Sequence, residues 1–184
     1  MDNGGGTYSR YLDGDDSAMI ELIRLYKDGL TIYLNSFTNN LHDAEDLMED
    51  TFYKLAYKKP RYNGKTAFKT WLYTIGRNLA IDYLRKHKKE RLSELEEFEG
   101  FVSDDNIEED ILKEERKCVI HRSLHKLKGD YRQVICLTYF EGFSNTEAAK
   151  IMKKSSRQIT NLLYQAKKAL RAELEKEGIT YAGL

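Results

Sequence analysis

Residues 64–89 read GKTAFKTWLYTIGRNLAIDYLRKHKK, and they place aromatic and basic side chains on one helix. Phe68, Trp71, Leu72, Ile75, Leu79 and Tyr83 recur every three or four positions, the spacing of a helix's buried side. Arg77, Asn78, Arg85 and Lys86 fall largely on the other side, within reach of phosphates or base edges. Rings that stack on unpaired bases, beside cations that track phosphates, are the chemistry of a single-stranded nucleic-acid site. A core helix with a solvated basic back has the same composition, so the flanking sequence has to decide.

The chain around this stretch has 184 residues, one proline, aliphatic residues at helical spacing and almost no alternating segment, which predicts an all-α fold of two small helical domains. The formal net charge is zero, but its distribution is uneven. From Lys54 to Lys89 there are eleven Lys or Arg against one acid; from Glu90 to Glu115, twelve acids against two bases; from Lys150 to Arg171, seven bases and no acid. Two basic segments around an acidic one suit two nucleic-acid-facing modules joined by a stretch that DNA repels. Two cysteines, Cys118 and Cys136, fit a reducing compartment. No run has the length or apolarity of a signal peptide or membrane span, so a cytoplasmic protein without membrane insertion is expected. Residues 1–14, with Gly4, Gly5 and Gly6, read as a disordered tail.

On the N-terminal side, Asp15 or Asp16 caps a helix carrying Met19, Ile20, Leu22, Ile23 and Tyr26, followed by Leu30, Tyr33, Leu34 and Phe37. After Asn39 and Asn40 comes HDAEDLMEDTFYKLAYKK, with Leu47, Thr51, Phe52 and Leu55 as its inner face. Asp43, Asp46, Glu49 and Asp50 share the outer face. That carboxylate row suits a solvated surface or a basic protein partner; as a Mg²⁺ site it lacks the accompanying phosphate loop. Pro60 ends the helix, and Arg61 to Thr66 form a polar loop before the quoted stretch.

On the C-terminal side, residues 90–115 read as an acidic linker of 26 residues, with a reach of about 85 Å at roughly 3.3 Å per residue. Cys118, His121 and His125 share a helix face, spaced as zinc ligands can be, but without a fourth ligand nearby; an exposed polar face is the alternative. Tyr131 to Phe140 reads as a short buried helix carrying Val134, Ile135, Leu137, Tyr139 and Phe140. Ser144 to Glu147 and Ser155 to Gln158 are two capping boxes, opening a short and a longer helix around a tight turn. That is a helix-turn-helix. Its second helix places Ser156, Arg157, Gln158 and Asn161 at base edges, Arg157 suiting guanine and Gln158 adenine. Lys153, Lys154, Lys167, Lys168 and Arg171 suit phosphates.

Both halves resemble bacterial sigma factors of the small extracytoplasmic-function type. The second sigma region typically pairs a DAEDL-type helix with F-x-T-W-L-x-x-I-x-x-N-x-x-x-D-x-x-R, matched here by Asp43 to Leu47 and by Phe68, Thr70, Trp71, Leu72, Ile75, Asn78, Asp82 and Arg85. The fourth region is matched by Leu127, Tyr131, Arg132, Val134, Leu137, Glu141, Gly142, Ser144, Glu147 and Ala149. Gly76 replaces a usual alanine and should loosen its helix by up to about 1 kcal/mol. Lys153 replaces the turn glycine, and Leu162 a usual basic residue.

The resemblance implies a sigma region 2-like domain at 15–89 and a region 4-like domain at 116–178. It implies that Asp43, Asp46, Leu47, Asp50 and Phe52 dock on core RNA polymerase. The loop Tyr62, Asn63, Gly64, Lys65, Thr66 and Ala67 would capture an unstacked base of the minus-10 element, with Arg77, Asn78, Asp82, Arg85 and Lys86 along that element. Ser156, Arg157, Gln158, Asn161, Lys153, Lys154 and Lys167 would meet the minus-35 element. Promoter DNA and core polymerase are the implied partners, an anti-sigma factor a further one; no cofactor or metal is expected. A helix-turn-helix regulator acting without polymerase is the second reading. Enzymatic chemistry would need a nucleophile-base or metal constellation that the sequence does not offer.

Overall fold

The computed structural model of the protein describes residues 4–91, 120 and 122–178, and every regular element among them is helical. The first, α1 (Gly5–Leu12), stands where the sequence suggested a disordered tail. Two buried tyrosines explain the difference. Tyr8 packs on Phe68 and Trp71 with ring centroids 5.6 and 5.5 Å away. Its hydroxyl donates to the Pro60 carbonyl at 2.9 Å, and Tyr11 donates to that of Ala56 at 3.1 Å. The glycine run permits this contact, since Gly4 has φ +89° and a Cβ there would lie 2.7 Å from Phe68.

Three long helices follow. α2 (Asp16–Thr38) starts at Asp15, whose carboxylate accepts the Ser17 amide, and stops at Asn39 with a left-handed φ of +55°. α3 (Leu41–Lys58) is capped by Asn40 and ends at Lys59, just before Pro60. α4 (Phe68–Arg91) carries the stretch read first. Leu22, Leu30, Leu34, Leu55, Phe68 and Leu72 are fully buried between these helices. Each such side chain contributes about 1.5–3 kcal/mol. Gly76 is part of that packing: an added Cβ would come within 3.1 Å of Leu30 and 3.3 Å of Thr51, so the glycine lets α4 lie close on α2 and α3. Ile20, expected inward, is 52% exposed.

The C-terminal unit is α5 (Gly129–Ile135), a π-helical turn (Cys136–Phe140), α6 (Asn145–Met152) and α7 (Ser156–Lys176). Val134, Leu137, Ile151, Ile159 and Ala166 form its core. The sequence predicted one buried helix through Phe140. The wider π turn breaks the 3.6-residue register, and Tyr139 and Phe140 come out 49% and 55% exposed.

The two units pack on each other, α6 against α4 and α5 with its π turn against α2. Lys69 bonds both the Glu141 carbonyl, at 2.8 Å, and the Glu141 carboxylate, at 2.9 Å. The Tyr73 hydroxyl donates to that carboxylate at 2.5 Å, and its ring meets Phe143 edge-on at 5.0 Å. Arg132 Nε donates to the Ser36 carbonyl at 3.2 Å. Of the expected linker at 90–115, only Glu90 and Arg91, the end of α4, are among the described residues.

Candidate nucleic-acid interface

α3 presents the acidic face that the sequence predicts. Asp46, Glu49 and Asp50 are exposed and Asp43 is half-buried. Leu47 and Phe52, expected at the docking surface, are 4% and 5% exposed and pack inward, so their part is to seat the helix. The exposed apolar groups are instead Tyr53 and Tyr57, at 64% and 67%, which the sequence reading missed. Their rings are parallel within 6° at 5.5 Å, with Lys58 over the second at 5.0 Å. Positions 46, 50, 53 and 57 fall on one stripe at 100° per residue, a signal present in the spacing. The stripe runs from carboxylates to aromatics.

In the loop before α4, Tyr62 does not stand free. It is half-buried, bonded to the Thr66 carbonyl, and packed on Phe68 and Trp71 with centroids 5.5 and 5.2 Å away. It braces the loop from behind. Asn63 accepts the Lys65 amide at 3.1 Å, and Gly64 takes a left-handed φ of +69°. These three residues form the exposed tip, while Thr66 and Ala67 are half-buried and the Ala67 carbonyl receives the Trp71 amide. Trp71 itself is half-buried in the same aromatic cluster.

Along α4 the expected contacts divide. Asp82, Arg85 and Lys86 are exposed, with Arg85 and Asp82 paired at 3.4 Å, and Asn78 is half-buried. Arg77 is turned inward. It lies one turn beyond Tyr73, its Nε is buried without a hydrogen-bond partner, and its charge acts on the fully buried Tyr33. Tyr33 stacks on Tyr73 at 5.4 Å, and burial pushes its phenol far above the usual tyrosine value. In this arrangement Arg77 belongs to the junction with the C-terminal unit.

Both capping boxes form. Ser144 accepts the Glu147 amide, and Glu147 returns a bond to the Ser144 amide at 2.9 Å. The Ser144 hydroxyl holds the Glu147 carboxyl below the ordinary carboxylate range. Ser155 and Gln158 do the same for α7, with Gln158 Oε1 accepting the Ser155 amide at 2.7 Å. Gln158 therefore caps the helix it was expected to read from. Ser156, Arg157 and Asn161 are exposed at the helix start, clear of the junction. Lys153 is exposed and left-handed at φ +55°, a conformation costing about 1 kcal/mol without glycine. Lys154 pairs with Asp130 at 3.3 Å, and Lys167 lies over the Tyr139 ring at 5.0 Å. Leu162 packs against the core, in place of a basic contact.

A cleft of about 340 Å³ separates α2 from the C-terminal unit, lined by Ile32, Leu41, Leu124, His125, Arg132 and Phe140 among others. Cys118 and His121 of the zinc-like spacing lie outside the described residues; among described residues no three acidic, His or Cys side chains form a metal-sized group. No described helix is long and apolar enough to cross a membrane.

Comparison with known proteins adds to this geometry. Residues 22–90 match the family described as Sigma-70 region 2, and residues 119–170 match Sigma-70, region 4. The "ECF RNA polymerase sigma factor SigM" of Bacillus subtilis (strain 168) is 30% identical over 152 residues, 83% of this chain and 92% of that protein. SigW of the same strain is 28% identical over 170 residues, 88% and 91% of the two chains. Among solved structures, the sigma factor RpoE in complex with the anti-sigma factor NepR, from Bartonella quintana, superposes with TM-score 0.71 at 25% identity, covering 84% of this chain and 95% of that one. CnrH, in complex with the cytosolic domain of CnrY, shares the fold with TM-score 0.68 at 23% identity, over 95% and 97% of the chains.

Proposed function

Since the chain belongs to the extracytoplasmic-function sigma factors of the sigma-70 family, we propose that it divides promoter recognition among three surfaces. It binds core RNA polymerase, recognises minus-10 and minus-35 promoter elements and directs transcription initiation. The polymerase surface is the α3 stripe of Asp46, Asp50, Tyr53 and Tyr57, flanked by Asp43 and Glu49. Carboxylates there repel DNA and favour a basic protein helix, while the exposed tyrosines supply the aromatic anchors that interface cores use. The minus-10 surface is the tip Asn63, Gly64 and Lys65, continued along Asn78, Asp82, Arg85 and Lys86. The minus-35 surface is Ser156, Arg157, Gln158 and Asn161, with Lys153 and Lys167 toward phosphates.

The observation that carries this reading is the exposed acidic stripe of α3, a surface that a factor binding DNA alone would not need. Catalysis belongs to the polymerase, and this chain supplies recognition; a cytoplasmic location follows from that role. An anti-sigma factor is a further partner, for which the cleft beside Ile32, Leu41 and Phe140 offers an apolar seat. Core-polymerase binding by Asp46→Lys/Asp50→Lys tests the reading. Charge reversal is expected to weaken binding at least about tenfold, since like charges oppose at a close interface. Unchanged binding would instead favour a regulator that works without polymerase. Tyr53→Ala/Tyr57→Ala is expected to weaken binding with little effect on folding, since both rings are exposed.

A further inference from the structure

Minus-10 and minus-35 elements lie about 25 base pairs apart, or about 85 Å at 3.4 Å per pair. A compact chain of 184 residues has a radius of gyration of about 16 Å, and so a diameter of about 40 Å. The arrangement in which the two helical units touch cannot reach both elements together. It is a closed form, and something holds it.

The Glu141 side chain reaches two helices of the other unit, α4 and α2. Its carboxylate is 10% exposed, bonded to Lys69 at 2.9 Å and to the Tyr73 hydroxyl at 2.5 Å, both on α4. Its backbone carbonyl takes a second bond from Lys69. On α2 it lies against Gly29, where an added Cβ would sit 2.5 Å from a carboxylate oxygen. Burial and the neighbouring carboxylate raise the Tyr73 phenol, which therefore stays protonated and donating. Lys69, Tyr73 and Arg77 form one stripe of α4, so the contact sits on the helix that carries the minus-10 face.

Elsewhere the junction has the Arg132–Ser36 bond but leaves several polar atoms unsatisfied. The Tyr33 hydroxyl, Asn35 Oδ1 and Arg77 Nε are buried there without hydrogen-bond partners, which weighs against the closed form. An interface with one strong ionic clasp and several unpaired polar atoms is suited to opening.

We propose that Glu141 is the latch of an intramolecular closed state, clasping Lys69 and Tyr73 across a notch made by Gly29, and that its release precedes engagement of both promoter elements. The regulatory part rests on the sigma reading above; the closure itself does not. Opening frees Lys69, next to the loop tip, for DNA phosphate.

Small-angle scattering of the full chain tests closure without polymerase. Glu141→Lys, which sets two cations against each other, is expected to raise the radius of gyration. Gly29→Ala should do the same, because its methyl group displaces the carboxylate while improving helix propensity in α2. Circular dichroism should stay helical in both. Lys69→Glu combined with Glu141→Lys should restore the compact value, which a merely damaged fold would not do. Apparent affinity for core polymerase should rise at least about threefold in the opened variants, because a larger fraction is competent to bind. An unchanged radius in Glu141→Lys and Gly29→Ala would overturn the latch. A larger radius with unchanged affinity would overturn its regulatory role. If the wild-type chain fails to bind polymerase, the sigma reading falls while scattering still decides the closure.

Discussion

In the N-terminal region the side chains that would meet DNA and those that hold them in place are different residues; in the C-terminal region they are partly the same. The loop tip at Asn63, Gly64 and Lys65 is exposed, and Tyr62, Phe68, Trp71 and Tyr8 brace it from behind as one aromatic cluster. At the start of α7, by contrast, Gln158 holds the helix cap and stands among the proposed base-reading positions. The first design separates folding from recognition. The second couples them, and it makes a small unit economical but sensitive.

Trp71→Ala should have the largest effect, about 3 kcal/mol of stability measured by urea unfolding, as for loss of a large aromatic from a packed cluster. A loss below about 1 kcal/mol would mean that the cluster does not brace the loop. The contrasting change is Arg157→Ala at the exposed end of α7. It should leave stability unchanged but cost about 2 kcal/mol against a cognate minus-35 duplex, and far less against random DNA. Equal losses on both would make Arg157 a phosphate contact. Gln158 probes the coupling itself: Gln158→Ala should cost about 1 kcal/mol of stability together with minus-35 affinity. Gln158→Glu should recover stability, because glutamate also serves a capping box, yet not the affinity, because a carboxylate lacks the donor that adenine requires. Recovery of both would separate the two roles. The smallest effect is expected from Lys153→Gly, a gain of up to about 1 kcal/mol in thermal unfolding from relief of the left-handed backbone, with a slight loss of salt-dependent DNA binding.

Much of this division was legible in the sequence, and unevenly so. Capping boxes at Ser144 and Ser155 depend on residues three apart, and both formed as read. The inner face of α3 followed from its spacing, but placing Leu47 and Phe52 on the docking surface contradicted that same spacing, and the outward Tyr53 and Tyr57 went unread. The glycine run at the start of α1 looked like a flexible tail because the partners of Gly4, Phe68 and Tyr26, lie far along the chain. Gly76 looked like a weakness for the same reason, its neighbours Leu30 and Thr51 being on other helices. The π turn at Cys136–Phe140 has no periodic signature, so Tyr139 and Phe140 were read on the wrong side. Arg77 shares its helix with exposed cations, and its buried Nε beside Tyr33 has no counterpart in the spacing.

Run-off transcription tests the central claim most directly, on a template carrying the DNA upstream of the chain's own gene. With purified core polymerase, the wild-type chain should yield a discrete transcript that core alone does not make. Asp46→Lys/Asp50→Lys should abolish it while leaving the fold intact. Tight binding of the chain to that DNA without core polymerase, with no added transcript when core is present, would contradict the account.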